Sequence, residues 1–272
     1  MKVTMLSLMA SIPLITLSVG SVPAFAQSPA HVSQRTSASS IASGTPDHTI
    51  NNWHVVFKRP AITNPKTLYY DAIHHRTLKQ APPFQVHGTW TKAGHTKPVH
   101  PPTAYTTQWV GSFTNSSGTT KNEYVTTAFA KGNTTTYDGT GSIAGTGWDS
   151  SNGVEAYARI YWNKYTINGD LETKLTKVTG GWHVYDATEY VRNERVSYGA
   201  DGWTMDKGPY VDQASTGHNP EPSLTFAYTP PSSWVPISMK STTLKRLFGT
   251  VTTATVVRGT DSWGMSLTVE YN

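Results

Sequence analysis

The stretch Tyr157-Ala158-Arg159-Ile160-Tyr161-Trp162-Asn163-Lys164-Tyr165-Thr166-Ile167, followed by Asn168-Gly169 and by Leu171-Glu172-Thr173-Lys174-Leu175-Thr176-Lys177-Val178, decides the fold class. Both arms are rich in aromatic and β-branched residues, which suit a pleated, half-buried surface. Asn-Gly between them is the favoured type I′ pair, because both central residues must adopt positive φ. The segment therefore predicts a hairpin with a defined register. A period of two places Tyr157, Arg159, Tyr161, Asn163 and Tyr165 on one face and Ala158, Ile160 and Trp162 on the other. One face must be core.

If the tyrosine row faces outward, Tyr157, Arg159, Tyr161, Asn163 and Tyr165 form a candidate ligand-binding surface. Aromatic faces lie against the C–H faces of sugars, and Arg and Asn supply hydrogen bonds. The competing reading is that the tyrosines pair across strands and stabilise the sheet.

The β pattern continues on both sides. Tyr105, Thr107, Trp109, Gly111 and Phe113 alternate ahead of a turn at Asn115–Gly118 and a second strand through Phe129. Gly180-Gly181 reads as a turn into Trp182–Tyr185, with another strand over Arg195–Tyr198. The long polar stretch Tyr198–Ser233 predicts a loop containing one short strand at Leu224–Tyr228. Val251–Arg258 and Trp263–Tyr271 close the chain, with Met265, Leu267 and Val269 pointing to the core. Asn64-Pro65 predicts a short helix running through Leu68 and Ala72 towards Leu78, and Ser238–Phe248 predicts a helical turn or two. Strands without βαβ alternation specify an all-β protein, an antiparallel β-sandwich with one or two short helices, the alternative being a β-barrel.

The front of the chain has a different character. Residues 1–26 read as a signal peptide, with Lys2, an apolar run and an A-x-A site before Gln27. Residues 27–48 are rich in Ser, Ala, Thr and Gln and read as a disordered tail. Residues 49–102 form a basic, His- and Pro-rich segment expected to pack as edge strands, including one at Trp53, Val55 and Phe57, and 103–272 form the sandwich domain. The mature protein is then expected to be secreted, extracellular or cell-wall associated, with no integral membrane segment after processing.

Composition removes several function classes. There is no cysteine, hence no disulfide, no thiolate metal site and no cysteine nucleophile. Only 14% of residues are charged, yet the net charge is +5. Between Gln27 and Ala130 there are nine Lys and Arg against three acids, and eight of the ten histidines lie in that half. Such a distribution suits attraction to an anionic extracellular polymer or an acidic polysaccharide.

The remaining motifs are weaker. Asp138–Gly147 is glycine-rich but lacks the following helix that a phosphate loop needs, so it reads as a surface loop and no nucleotide cofactor is expected. No other cofactor is implied. His74, His75 and His87 are the best metal-ligating candidates, although adjacent histidines diverge on a helix and no H-E-x-x-H is present. Glu155, Glu172, Asp186 and Glu189 are candidate paired carboxylates, and no G-x-S-x-G elbow occurs.

The stretches Lys174–Trp182, Val196–Gly199 and Val257–Trp263 resemble a group of uncharacterised secreted proteins of Gram-positive bacteria. The resemblance covers roughly the last 120 residues and implies export and a β fold, without a mechanism. Together these features predict a secreted, non-catalytic binding or surface protein that contacts an anionic polymer or polysaccharide. The alternatives are an extracellular hydrolase of wall or matrix polymer, and a self-assembling surface protein that donates its N-terminal segment as a strand.

Overall fold

Two antiparallel sheets face each other across a core built from the alternating apolar residues of both. The computed structural model describes residues 49–50, 52–78, 83–132, 153–167, 169–204, 209–238 and 248–271. The segments read as a signal peptide, a tail and a glycine-rich loop, and most of the second predicted helix, lie outside them.

The chain begins with β1 (Thr49–Ile50), β2 (Trp53–Lys58) and the single described helix α1 (Pro65–Ile73), then β3 (Phe84–Lys92), β4 (Thr103–Asn115) and β5 (Thr120–Gly132). The long hairpin is β6 (Val154–Ile167) and β7 (Asp170–Val184), followed by β8 (Glu189–Ala200). Five short strands come next: β9 (Gly202–Trp203), β10 (Tyr210–Val211), β11 (Ala214–His218), β12 (Thr225–Tyr228) and β13 (Ile237–Ser238). A final hairpin, β14 (Phe248–Arg258) and β15 (Asp261–Tyr271), ends the chain.

The larger sheet has the order β1-β2-β4-β5-β6-β7-β12, with β13 also paired to β7. The smaller has the order β11-β8-β14-β15-β3, and β9 pairs with β10 separately. The segment 49–102 thus supplies a marginal strand to each sheet and shares the core of the one compact unit that holds all described residues. No helix among them is long and apolar enough to cross a membrane.

The hairpin forms in the predicted register, with Ile167 opposite Asp170 and Gly169 at φ +85° in the turn. Its inward face is Ala158, Ile160 and Trp162, all at 1% exposure or less. Trp162 stacks on Tyr124 at 4.5 Å and meets Phe84 and Phe248 from the opposite sheet. Met265, Leu267 and Val269 point to the same core.

Three local expectations are corrected. Gly180-Gly181 is not a turn, because β7 runs unbroken through it. A Cβ at Gly180 would lie 2.4 Å from the Tyr157 carbonyl oxygen and 2.5 Å from the Phe226 ring, and one at Gly181 only 2.3 Å from the Leu224 carbonyl oxygen. The glycines permit close approach of neighbouring chain.

The alternation from Tyr105 to Phe113 is also broken. Trp109 pairs with Tyr124 and Gly111 with Glu123, so Val110 is an extra residue and Phe113 falls on the face opposite Tyr105. The helix, finally, stops short of Leu78. Asn64 caps it by accepting from the Thr67 N–H, Pro65 occupies its first turn, and His75 takes a left-handed φ of +51° just beyond its end.

Candidate ligand cleft on the outer face of the large sheet

The outward face of the large sheet is where the polar and half-buried aromatic residues gather. Cross-strand pairing sets its rows. Phe129, Tyr157 and Gly181 are neighbours across β5, β6 and β7, as are Thr127, Arg159 and Thr179 in the next row and Val125, Tyr161 and Lys177 in the third. Helix α1 lies over one end of this face, where Leu68 and Ala72 pack on Ala104 and Phe129. Tyr69 meets Phe129 edge-on at 5.5 Å.

Between helix and sheet opens a cleft of about 210 Å³. Its roof is Thr63, Pro65 and Leu68, and its floor is Thr127, Phe129, Tyr157, Arg159 and Thr179. The far wall is Thr225, Phe226 and Ala227 of β12, which can lie so close to β7 only because Gly180 and Gly181 have no side chain. The lining is therefore apolar and aromatic, with threonine hydroxyls and one cation.

That cation is held tightly. Arg159 is 8% exposed, donates from Nε to Thr127 Oγ1 at 3.2 Å, and donates from Nη2 to the Ile62 carbonyl oxygen. Ile62 is fastened a second way, since its N–H donates to Gln108 Oε1 at 2.8 Å and its carbonyl accepts from Gln108 Nε2. Among the described residues no carboxylate forms an ion pair with Arg159. A buried guanidinium without a counter-charge is costly unless an anion completes it.

Beside the cleft, Tyr161 has Arg159 Cζ 6.0 Å and Lys177 Nζ 5.6 Å from its ring centroid. Farther along, Asn163 Nδ2 donates to the Tyr165 hydroxyl at 3.3 Å, and Tyr165 approaches Trp53. Of the predicted surface, Tyr157 and Arg159 thus line the cleft, whereas Tyr161, Asn163 and Tyr165 continue the face away from it. Tyr157, Tyr161 and Tyr165 are all half-buried.

Beyond Tyr157, at the end that α1 covers, is a buried polar corner. Glu155 lies between Lys131 and His183 on the adjacent strands, and Tyr185 Oη donates to Glu155 Oε1 at 3.4 Å. Burial pushes the Glu155 carboxyl up to about 7, against the lowering influence of Lys131 and the Tyr185 hydrogen bond. Burial, aided by the Glu155 charge, raises the Tyr69 phenol from α1, and burial lowers His183, whose ring stacks on Tyr157 at 4.8 Å. The cleft floor is thus in direct contact with a titrating cluster.

The predicted metal ligands do not converge. His74 Nδ1 lies 2.8 Å from the Tyr70 carbonyl oxygen at the end of α1, while His87 is on β3 in the other sheet, beside Gln85. The described residues hold no group of three or more His, Asp or Glu placed to bind a metal. Nor do Glu155 and Glu172 make a glycosidase pair. Glu172 faces Tyr165, ten positions along β6 from Glu155, a separation of roughly 30 Å at the strand rise, whereas such carboxylates stand about 5–10 Å apart. Glu194 and Glu221 lie beside each other, with burial raising Glu194 and the neighbouring Glu194 carboxyl lowering Glu221, but neither lines the cleft.

Reading the sequence missed Thr63, Leu68, Phe129, Thr179 and Phe226, which come from four different elements and the loop before α1. The only local signal was the Asn64-Pro65 helix start, which says that a helix exists but not where it docks. Fold and cleft together define a cysteine-free antiparallel β-sandwich carrying a helix-roofed groove on one outer face. No family model, curated protein or solved structure matches the chain.

Proposed function

We propose that this is an exported, non-catalytic binding protein that holds an anionic extracellular polymer or polysaccharide against the outer face of its large sheet. The observation that carries the reading is the Arg159 guanidinium in an open cleft, with no carboxylate paired to it among the described residues, continued by Lys177 and Lys174 on the same face. Cations interleaved with aromatic rings along a groove attract a chain of opposite charge and concentrate it locally. The basic front half and the resemblance to exported proteins agree with this role.

Retention on an insoluble acidic wall polymer tests it. The protein is expected to bind at low salt and to elute progressively as ionic strength rises, because screening shortens the reach of surface charge to about 8 Å at physiological salt. Absence of retention on any acidic polymer, or retention indifferent to salt, would reject the reading.

A further inference from the structure

Resting on that reading, we infer that the cleft takes a single sugar ring bearing a carboxylate, a uronic-acid unit, with Arg159 holding the carboxylate and Tyr157 and Phe129 flanking the ring. Size comes first. At about 210 Å³ the cleft is smaller than the roughly 300–1,000 Å³ of pockets that enclose drug-sized ligands, so it admits one ring and not a longer segment.

The chemistry of the lining narrows the class. A purely apolar ligand would offer nothing to the remaining N–H groups of the guanidinium or to the hydroxyls of Thr63 and Thr179. A free inorganic anion would leave the Tyr157 and Phe129 walls unused. A sugar ring offers C–H faces to the aromatic walls and hydroxyls to the threonines.

The anion's identity follows from the geometry of Arg159. Of the five N–H groups of a guanidinium, Nε and one on Nη2 are already donated, to Thr127 and Ile62. The Nη1 side is left to donate, in the plane that those two bonds fix. A planar carboxylate matches a fixed planar donor better than it matches a lysine point charge, so lysine should be a poor replacement. The next unit of the chain then lies over Tyr161, between Arg159 and Lys177.

Calorimetric titration of the full chain with three probes decides it: an oligogalacturonate, its uncharged methyl ester, and a glycerol-phosphate oligomer of similar length. The acid is expected to bind at least about tenfold more tightly than the ester, the scale of one charge-assisted hydrogen-bonded pair, and more tightly than the phosphate oligomer. Arg159→Lys should lose most of that preference. Thr179→Tyr, which leaves both Arg159 hydrogen bonds in place and fills the cleft, should abolish binding with the fold retained by circular dichroism.

Equal binding of acid and ester overturns the carboxylate assignment. Tighter, Arg159-dependent binding of the phosphate oligomer overturns it too, while leaving the anionic-polymer reading intact. Acid binding that survives Thr179→Tyr places the ligand elsewhere and rejects the cleft. Should Arg159→Lys fail to fold, the acid-against-ester comparison and Thr179→Tyr still decide.

Discussion

Arg159 Nη2 on β6 donates to the carbonyl oxygen of Ile62, 97 residues earlier in the chain and just ahead of α1. One side chain thus joins the floor of the cleft to its roof. Gln108 secures the same carbonyl from β4, so the loop before the helix is pinned to the sheet at two points. The width of the opening therefore depends on the residue proposed to meet the ligand, and disturbing the roof should be felt in binding as well as in stability.

Removing the helix cap tests that link. Asn64→Ala deletes the acceptor for the Thr67 N–H and should lower stability by about 1 kcal/mol. Amide exchange is expected to speed up in Pro65–Ile73 before it does in β6 or β7. A uniform change across the sandwich would mean that the roof does not open independently.

The two faces of the hairpin should respond differently to truncation. Trp162 is 1% exposed, stacks on Tyr124 and donates from Nε1 to Thr126 Oγ1, so Trp162→Ala should cost about 3–5 kcal/mol. Tyr161 stands on the outer face and is half-buried; Tyr161→Ala should cost roughly 0.2–1 kcal/mol. Thermal melts of the two variants side by side check the order.

Gly181→Ala should push β12 away from β7. Its Cβ would sit 2.3 Å from the Leu224 carbonyl oxygen, the acceptor of the Trp182 N–H. A cost of about 1–3 kcal/mol is expected from overpacking, together with lost exchange protection at Trp182 and Thr225–Tyr228. Full protection there would show that the edge strand can move without loss.

Glu155 should make stability fall as pH rises. Its folded pKa, about 7, lies above the ordinary 4.5, so the folded state binds more protons between those values and loses stability with rising pH. Lys131, Tyr185, Tyr69 and His183 all face this carboxyl, and the lowered pKa of His183 acts the other way, removing stability as pH falls below its ordinary 6.5. Glu155→Gln removes only the first contribution. The variant should gain on the parent by about 3 kcal/mol between pH 4.5 and 7 and hold that gain above. Denaturant titrations at half-unit pH steps would show a flat difference if the carboxyl is not desolvated.

Some of this molecule is local chemistry and could be read along the chain. The turn between Ile167 and Asp170, the period of two that separates Trp162 from Tyr161, and the Asn64-Pro65 helix start each depend on the conformational preferences of a few consecutive residues. Other features exist only because distant segments meet. The extra residue at Val110 appears when β4 is laid against β5, and Gly180-Gly181 resembles a turn until Tyr157 and Leu224 occupy the space a side chain would need. The cleft is of this second kind. Arg159 was legible as a cation on a tyrosine face, but its pairing with Ile62, its lack of a carboxylate partner among the described residues, and its helical roof arise from five elements brought together by packing, which no periodicity within one segment encodes.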